Sequence, residues 1–380
     1  MKHLIWNVFA VVVTALFCAG GVEGCQQEKA GRSHREAFSD EGLIQANANQ
    51  LHATQVTAHM EVPLQPGQNM LWCGSFQLAW NETCTLAGGQ LLFRGPQPES
   101  VASLNRKLFD ATDLDEASYV ALAGYVRDGI VDQIAARLKQ KFDGHANPMM
   151  LPKHELSQRP QDLVAYAYLF KNLEFPVPYE RGTVPLPFGN GAVKCFGMGP
   201  QYKPGREQMA GQTLIHDYVS ADNFVIELQT KTPGERLILA KITPEKTLAQ
   251  TVAAVQRRSV IKPTPALPED VLVIPKSNFD ITRSYDELCG RHLLPTATGM
   301  ANDLFLLAAL QNTRFQMDET GVRLQSESTM YFGCSAPHNP PPVHRMIFDK
   351  PFLIMMSRAD AKHPYFALWV ANPELLVKAP

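Results

Sequence analysis

The stretch NFVIELQTKTPGERLILAKI, residues 223–242, most constrains what this chain can fold into. Two runs rich in aliphatic and β-branched residues flank KTPG at 231–234, and a Pro-Gly step between such runs signals a β-hairpin. Similar apolar runs lie at 162–170, 270–281, 306–318, 347–356 and 365–373, and each reads as a strand. NMLWCGSFQLAW at 69–80 is too dense for an exposed loop and is expected to be buried. A helix is predicted over 116–142, where Val120, Ala123, Val126, Ile130, Ile134 and Leu138 recur at steps of three and four. Asp115 is its expected N-cap and Gly144 its expected stop. A short helix is predicted over 247–256. Many strands, few helices and proline-rich links, with 28 prolines in all, predict an α+β fold with large mixed or antiparallel sheets.

The first residues carry a compartment signal. Met1-Lys2-His3 is a basic start, and LIWNVFAVVVTALF at 4–17 is an apolar core too short for a comfortable membrane span. Small residues follow, so 1–24 read as an export signal. VEGC at 22–25 resembles a bacterial lipoprotein box with Cys25 as the lipidated residue, although Glu23 departs from that pattern. Plain secretion after a small residue near 19–24 fits equally, and an uncleaved anchor helix is a third option. Residues 25–60 are expected to be a polar tether, and 61–380 a single domain. The protein is thus expected to be exported: secreted, periplasmic or held at the cell envelope. Of seven cysteines, five lie beyond the signal and Cys25, so a monomer should keep at least one thiol free. Cys73 and Cys84 are close enough in sequence for a short-loop bridge, which geometry must decide.

Several function classes lose support. A formal net charge of −2 over 380 residues, with no basic run, disfavours nucleic-acid binding. No GxSxG, P-loop, HExxH or GxGxxG is present, and no nucleophile is paired with a base. GNG at 189–191 and GMG at 197–199 read as turns. His338 and His344 flank NPPPV without a third ligand, so a solvated loop is expected rather than a metal site. No enzyme activity, cofactor or metal is expected.

A family enters at the C-terminal third. ALQNTRFQMDETG at 309–321 gives a strand ending in Asp318-Glu319, then Thr320 and Gly321. PPPVHRMIFDKPFLIMMSRADAKHPYFALWVANP at 340–373 places Phe348 before Pro351-Phe352 and closes a last strand on Asn372-Pro373. These spaced elements resemble the serpins, the serine-protease-inhibitor fold. Upstream, DLVAYAYLFKNLEFPVPYERGTVPLPF, the central hairpin and VLVIPKSNFDITRSYDELCGRHLL agree in order. The resemblance runs from about Asn69 to Pro380. Residues 80–162 are fewer than the family has there, which predicts missing or shrunken helices.

The resemblance implies an exposed reactive-centre-like loop after a hinge. In inhibitory serpins a protease cleaves that loop, is held as an acyl-enzyme and is dragged as the loop inserts into the main sheet. The hinge here would be Glu319, Gly321, Val322, Leu324, Ser326 and Ser328. Val322, Leu324, Ser326, Ser328, Met330 and Phe332 would face inward, and none is charged. The alternation also suits a plain extended surface connection. The bait window MYFGCSAPHNP contains Met330, Tyr331, Phe332, Cys334, Ser335 and Ala336 and no Lys or Arg. Its aromatic and Met positions suit a chymotrypsin-like pocket, and Ala336 an elastase-like one. The family's polar shutter of Ser, Asn and His falls on Phe76, Tyr166 and Gln311, and Cys73-Gly74 replace a Ser-Pro pair. That predicts aromatic packing in place of a hydrogen-bond network. Two classes follow: a non-inhibitory serpin presenting its loop or a surface for protein binding, which the altered shutter favours, and a suicide inhibitor of an extracytoplasmic serine-type protease. The partner would be a protein, with membrane contact through a lipid anchor at most.

Overall fold

A computed structural model of the chain describes residues 38, 40–142, 162–199, 205–260, 262–294, 304, 306–324 and 344–379. In chain order the strands are β1 (Ile44–Asn47), β2 (Thr54–Thr57), β3 (Asn69–Cys73), β4 (Tyr119–Tyr125), β5 (Leu163–Leu169), β6 (Lys171–Glu174), β7 (Glu180–Arg181), β8 (Leu186–Phe188), β9 (Gly191–Val193), β10 (Cys195–Met198) and β11 (Thr213–Ser220). There follow β12 (Asn223–Leu228), β13 (Glu235–Lys241), β14 (Thr264–Pro265), β15 (Val271–Pro275), β16 (Ser277–Ser284), β17 (Leu310–Asp318), β18 (Gly321–Leu324), β19 (Arg345–Ile347), β20 (Phe352–Arg358) and β21 (Phe366–Val370). The helices are α1 (Ser75–Leu86), α2 (Glu99–Asn105), α3 (Ile130–Phe142), α4 (Arg206–Gly211) and α5 (Leu248–Arg258). Large sheets with few helices make an α+β fold.

The predicted hairpin is β12–β13, paired from Phe224↔Lys241 to Leu228↔Leu237. It lies inside an eight-stranded sheet of order β14-β11-β12-β13-β20-β21-β3-β2. Burial on both faces explains why β20 and β21 read as unbroken apolar runs rather than alternating ones. The two last strands pair with each other, Phe352↔Val370 to Met356↔Phe366, as the family resemblance requires. Asn69 at the start of β3 joins the two ends of the chain. Its side chain donates to Thr54 Oγ1 and Asn372 Oδ1 and accepts from the Ala371 and Asn372 amides. A four-stranded sheet has the order β19-β15-β10-β7, and β8–β9 forms a separate ribbon.

A five-stranded sheet, β1-β16-β17-β18-β6, stacks on the eight-stranded one. Phe315 of β17 and Phe366 of β21 stack at 4.6 Å between them, within one continuous apolar core. Two strands, β1 and β2, form inside the stretch expected to be a tether.

The helix expected over 116–142 is corrected. Its first part is the strand β4, paired antiparallel with β5 from Tyr119↔Leu169 to Tyr125↔Leu163. A strand partner distant in sequence outweighs local periodicity, and YVALAGY is rich in residues that suit a pleated surface. Gly129, at φ +77°, turns the chain into α3, a conformation that a side chain would disfavour. Asp115 caps nothing with its side chain. The α3 residues Ile130, Ile134, Leu138 and Phe142 bury a cluster with Val120 against Val164, Tyr166 and Tyr168 on the outer face of the β4–β5 ribbon. The second predicted helix is present as α5, with Thr247 Oγ1 accepting from the Gln250 amide at 3.2 Å.

Cys73, Cys84, Cys195 and Cys289 are free thiols, so the short-loop bridge does not form. A rise of about 1.5 Å per residue along α1 carries Cys84 roughly 14 Å from the helix start, well beyond the Cα span of a disulfide. Cys25 and Cys334 lie outside the described residues.

Candidate functional site

A sharp turn ends β17 at the residues expected to form the hinge. Asp318 Oδ1 accepts from the Thr320 amide at 2.8 Å and the Thr320 hydroxyl at 2.6 Å, which reverses the chain. The carbonyls of Glu319 and Thr320 accept from the amides of Tyr179 and Phe175. The buried Glu319 carboxylate meets Arg181 Nε and Lys276 Nζ. The next four residues form β18, inserted between two strands. On one side Asp318↔Gly321, Met317↔Val322 and Gln316↔Arg323 pair with β17. On the other, Gly321↔Glu174 through Leu324↔Lys171 pair with β6. A Cβ at Gly321 would stand 2.4 Å from the Leu173 carbonyl oxygen, so only glycine allows this approach. Val322 is fully buried.

Gly321, Val322 and Leu324 lie in β18 of the uncleaved chain, and Glu319 stands in the turn that precedes it. Ser326, Ser328, Met330, Tyr331, Phe332, Ser335 and Ala336 lie outside the described residues.

Among the described residues the sheet is incomplete below Leu324. The Phe170 amide bonds to Ser118 O on the β4 side, whereas the Phe175 amide bonds to Thr320 O on the β18 side. The edge of β5 away from β4 therefore faces the same way as the edge of β6 that holds β18. Among the described residues that β5 edge has no strand partner, and neither has β17 from Leu310 to Phe315 on its β18 side. Helix α1 packs against β4, β5 and β17, so it floors this gap. All of β5 is half-buried, as fits a strand with one open edge.

The shutter differs from expectation. Gln311 Nε2 donates to Cys73 O at 2.9 Å and Ser75 Oγ at 3.0 Å, and Gln311 Oε1 accepts from Tyr285 OH at 2.7 Å. The predicted loss of a hydrogen-bond network is overturned: a network exists, built from Ser75, Tyr285 and Gln311 around the end of β3. The expected aromatic packing is present beside it, with Phe76 and Tyr285 centroids 4.1 Å apart. Tyr166 takes no part, because it lies under α3. Burial pushes the Cys73 thiol and the Tyr285 phenol up, which keeps both protonated and unreactive.

A buried ion pair marks the lower end of β18. Lys171, the strand partner of Leu324, meets the Glu235 carboxylate of β13, which also accepts from Tyr365 OH at 2.9 Å. The Lys171 ammonium stands 5.3 Å from the Tyr365 ring centroid. This pair links the two sheets. Sequence reading missed it, since Lys171 and Glu235 are far apart in the chain and neither sits in a motif.

No family model and no curated protein matches this chain. Among solved structures it is similar to thyroxine-binding globulin in complex with thyroxine, at 10% identity and a TM-score of 0.45, over 81% of this chain and 94% of that one. A likeness this loose carries nothing about what this chain binds.

Proposed function

We propose that this is an exported, non-inhibitory serpin-fold protein that presents the segment after Leu324 to a partner protein. Partial uptake of that segment into the main sheet is the conformational event that sets how much is displayed. The observation that carries this reading is β18, already paired on both sides in the uncleaved chain. Net backbone hydrogen bonds are worth about 0.5–1.5 kcal/mol each, and those made before cleavage drive nothing afterwards. A pre-paired hinge therefore has less free energy left for dragging and distorting a bound protease.

A second reading, suicide inhibition of an extracytoplasmic chymotrypsin- or elastase-like protease, is favoured by the gap itself. The open edges of β5 and β17 offer room for a longer inserted strand, and the inward residues that would fill it are uncharged.

Cleavage of purified protein in the 330–340 window by a chymotrypsin-like protease, followed by thermal unfolding and denaturing gels, separates them. The proposed function expects a melting temperature raised by on the order of 10 °C as the gap fills, with no protease-linked band. A stable protease adduct together with that rise would replace it with the inhibitor. An unchanged or lowered melting temperature would remove insertion from the account.

A further inference from the structure

We propose that the outer face of the five-stranded sheet, where β1, β16 and β17 lie side by side, holds a binding site for a neutral polyhydroxylated ligand the size of one sugar ring. The site does not depend on whether the segment after Leu324 enters the sheet. Phe279, Ile281, Thr313 and Phe315 are buried. Alternation along a strand therefore turns Asp280, Thr282, Asn312 and Arg314 to the opposite face. Pairing with β1 sets these residues in two rows: Gln45, Asp280 and Arg314 in one, and Asn47, Thr282 and Asn312 in the next. The short 3-10 turn Ala48–Gln50 follows β1 and packs beside β16, which brings Gln50 to the same place. Apart from Arg314, these side chains and Ala46 line a depression of about 240 Å³.

That volume is the space of roughly eight waters at about 30 Å³ each, and it is smaller than the cavities that take drug-sized molecules. Its polar groups are preset. Asn312 Nδ2 donates to Asp280 Oδ1 at 2.7 Å and to Thr282 Oγ1 at 3.1 Å, which uses both amide hydrogens and fixes the side chain's orientation. Gln50 Oε1 accepts from the Asn47 amide at 2.8 Å, which leaves Gln50 Nε2 as a donor. Among the described residues nothing accepts from the Thr282 hydroxyl or donates to Asp280 Oδ2 or Asn312 Oδ1. Donors and acceptors thus stand next to one another at the spacing of adjacent strands. A hydroxyl both donates and accepts, so neighbouring hydroxyls on one ring satisfy such a mixed set. Charge narrows the class further. Arg314 is the cross-strand partner of Asp280 and feels its charge, while Asp40 Oδ1 stands 3.7 Å away and the Phe38 ring covers the guanidinium at 4.3 Å. Two carboxylates around one guanidinium disfavour an anion. One lining carboxylate with a guanidinium beside it disfavours a divalent metal ion, which gathers several charged oxygens.

The test follows the side-chain amide NMR signals of Gln45, Asn47, Gln50 and Asn312 in the labelled full chain. D-glucose, D-galactose, D-mannose and myo-inositol are added one at a time, up to tens of millimolar. At least one is expected to shift these signals saturably, and Asp280→Asn should weaken its binding about tenfold, the size expected for losing a hydrogen bond to a charged group. Asn47→Ala, at an exposed position, should weaken it about threefold and carries the test should Asp280→Asn fold poorly. A methyl glycoside that binds as well as its free sugar marks the end of a glycan as the source. A sugar that binds while its methyl glycoside does not marks a soluble one. No saturable shift with any of the four probes overturns the site, as do shifts left unaltered by both variants. Shifts with sodium phosphate or calcium chloride, and with none of the four, overturn the ligand class.

Discussion

The two large sheets share one core, yet one is finished and the other is not. In the eight-stranded sheet β13 has partners along its whole length, and Leu237 through Ala240 are fully buried. In the five-stranded sheet β17 is matched by β16 from end to end, but by β18 over only its last three residues. The finished sheet is where apolar burial supplies stability. Among the described residues the other leaves β17 without a partner on its β18 side below Gln316, beside a floor of polar contacts from Ser75, Gln311 and Tyr285. Lys171–Glu235 joins the two sheets.

That division can be broken by substitution. The largest effect is expected at the joint. Lys171→Met leaves the Glu235 carboxylate buried without its cation and should cost about 3–5 kcal/mol in denaturant unfolding, most of it restored by adding Glu235→Gln. A loss below about 1 kcal/mol would mean that the pair does not couple the sheets. Next comes the contrast itself. Leu239→Ala in β13 should cost about 2–5 kcal/mol, and Leu169→Ala in the half-buried β5 no more than half as much. Equal losses would dissolve the distinction between the sheets. The smallest effect belongs to the Glu41–Lys194 pair. The Lys194 hydrogen bond holds the Glu41 carboxyl below its ordinary range against partial desolvation, helped by the charges of Lys194, Lys276 and Arg181. Its folded value is depressed, so its contribution is complete above the ordinary carboxylate range and is lost as pH falls through the folded value. Glu41→Gln should therefore lower the melting temperature slightly at pH 7, by well under 1 kcal/mol of stability for so exposed a pair. The difference should vanish in strong acid, and one that survives there would mean a role other than charge.

The sequence revealed most where burial is complete. The strands β12, β13, β20 and β21 are apolar on both faces, so their composition alone marks them. The turn into β18 rests on Asp318, whose side chain forms it, and on Gly321, whose missing Cβ admits the Leu173 carbonyl. Strand β4 was hidden because its partner β5 lies far along the chain and its residues also satisfy a helical step. Strand β1 was hidden because Ile-Gln-Ala-Asn has no apolar signature; it forms through the open edge of β16. The shutter was half visible. Gln311 was singled out, but its partners Ser75 and Tyr285 become neighbours only once β3, α1 and β17 are assembled.

The Asn69 network has a consequence for how the chain reaches this fold. Asn69 and Asn372 are 303 positions apart and bond directly, and β3 is joined to the rest of the eight-stranded sheet through β21. The eight-stranded sheet therefore cannot close during synthesis until β21 has been made. Contacts of such long sequence separation slow folding and leave strand edges unpaired meanwhile. Until then β3 and β2 have no path into that sheet, and their edges wait on a strand made some three hundred residues later.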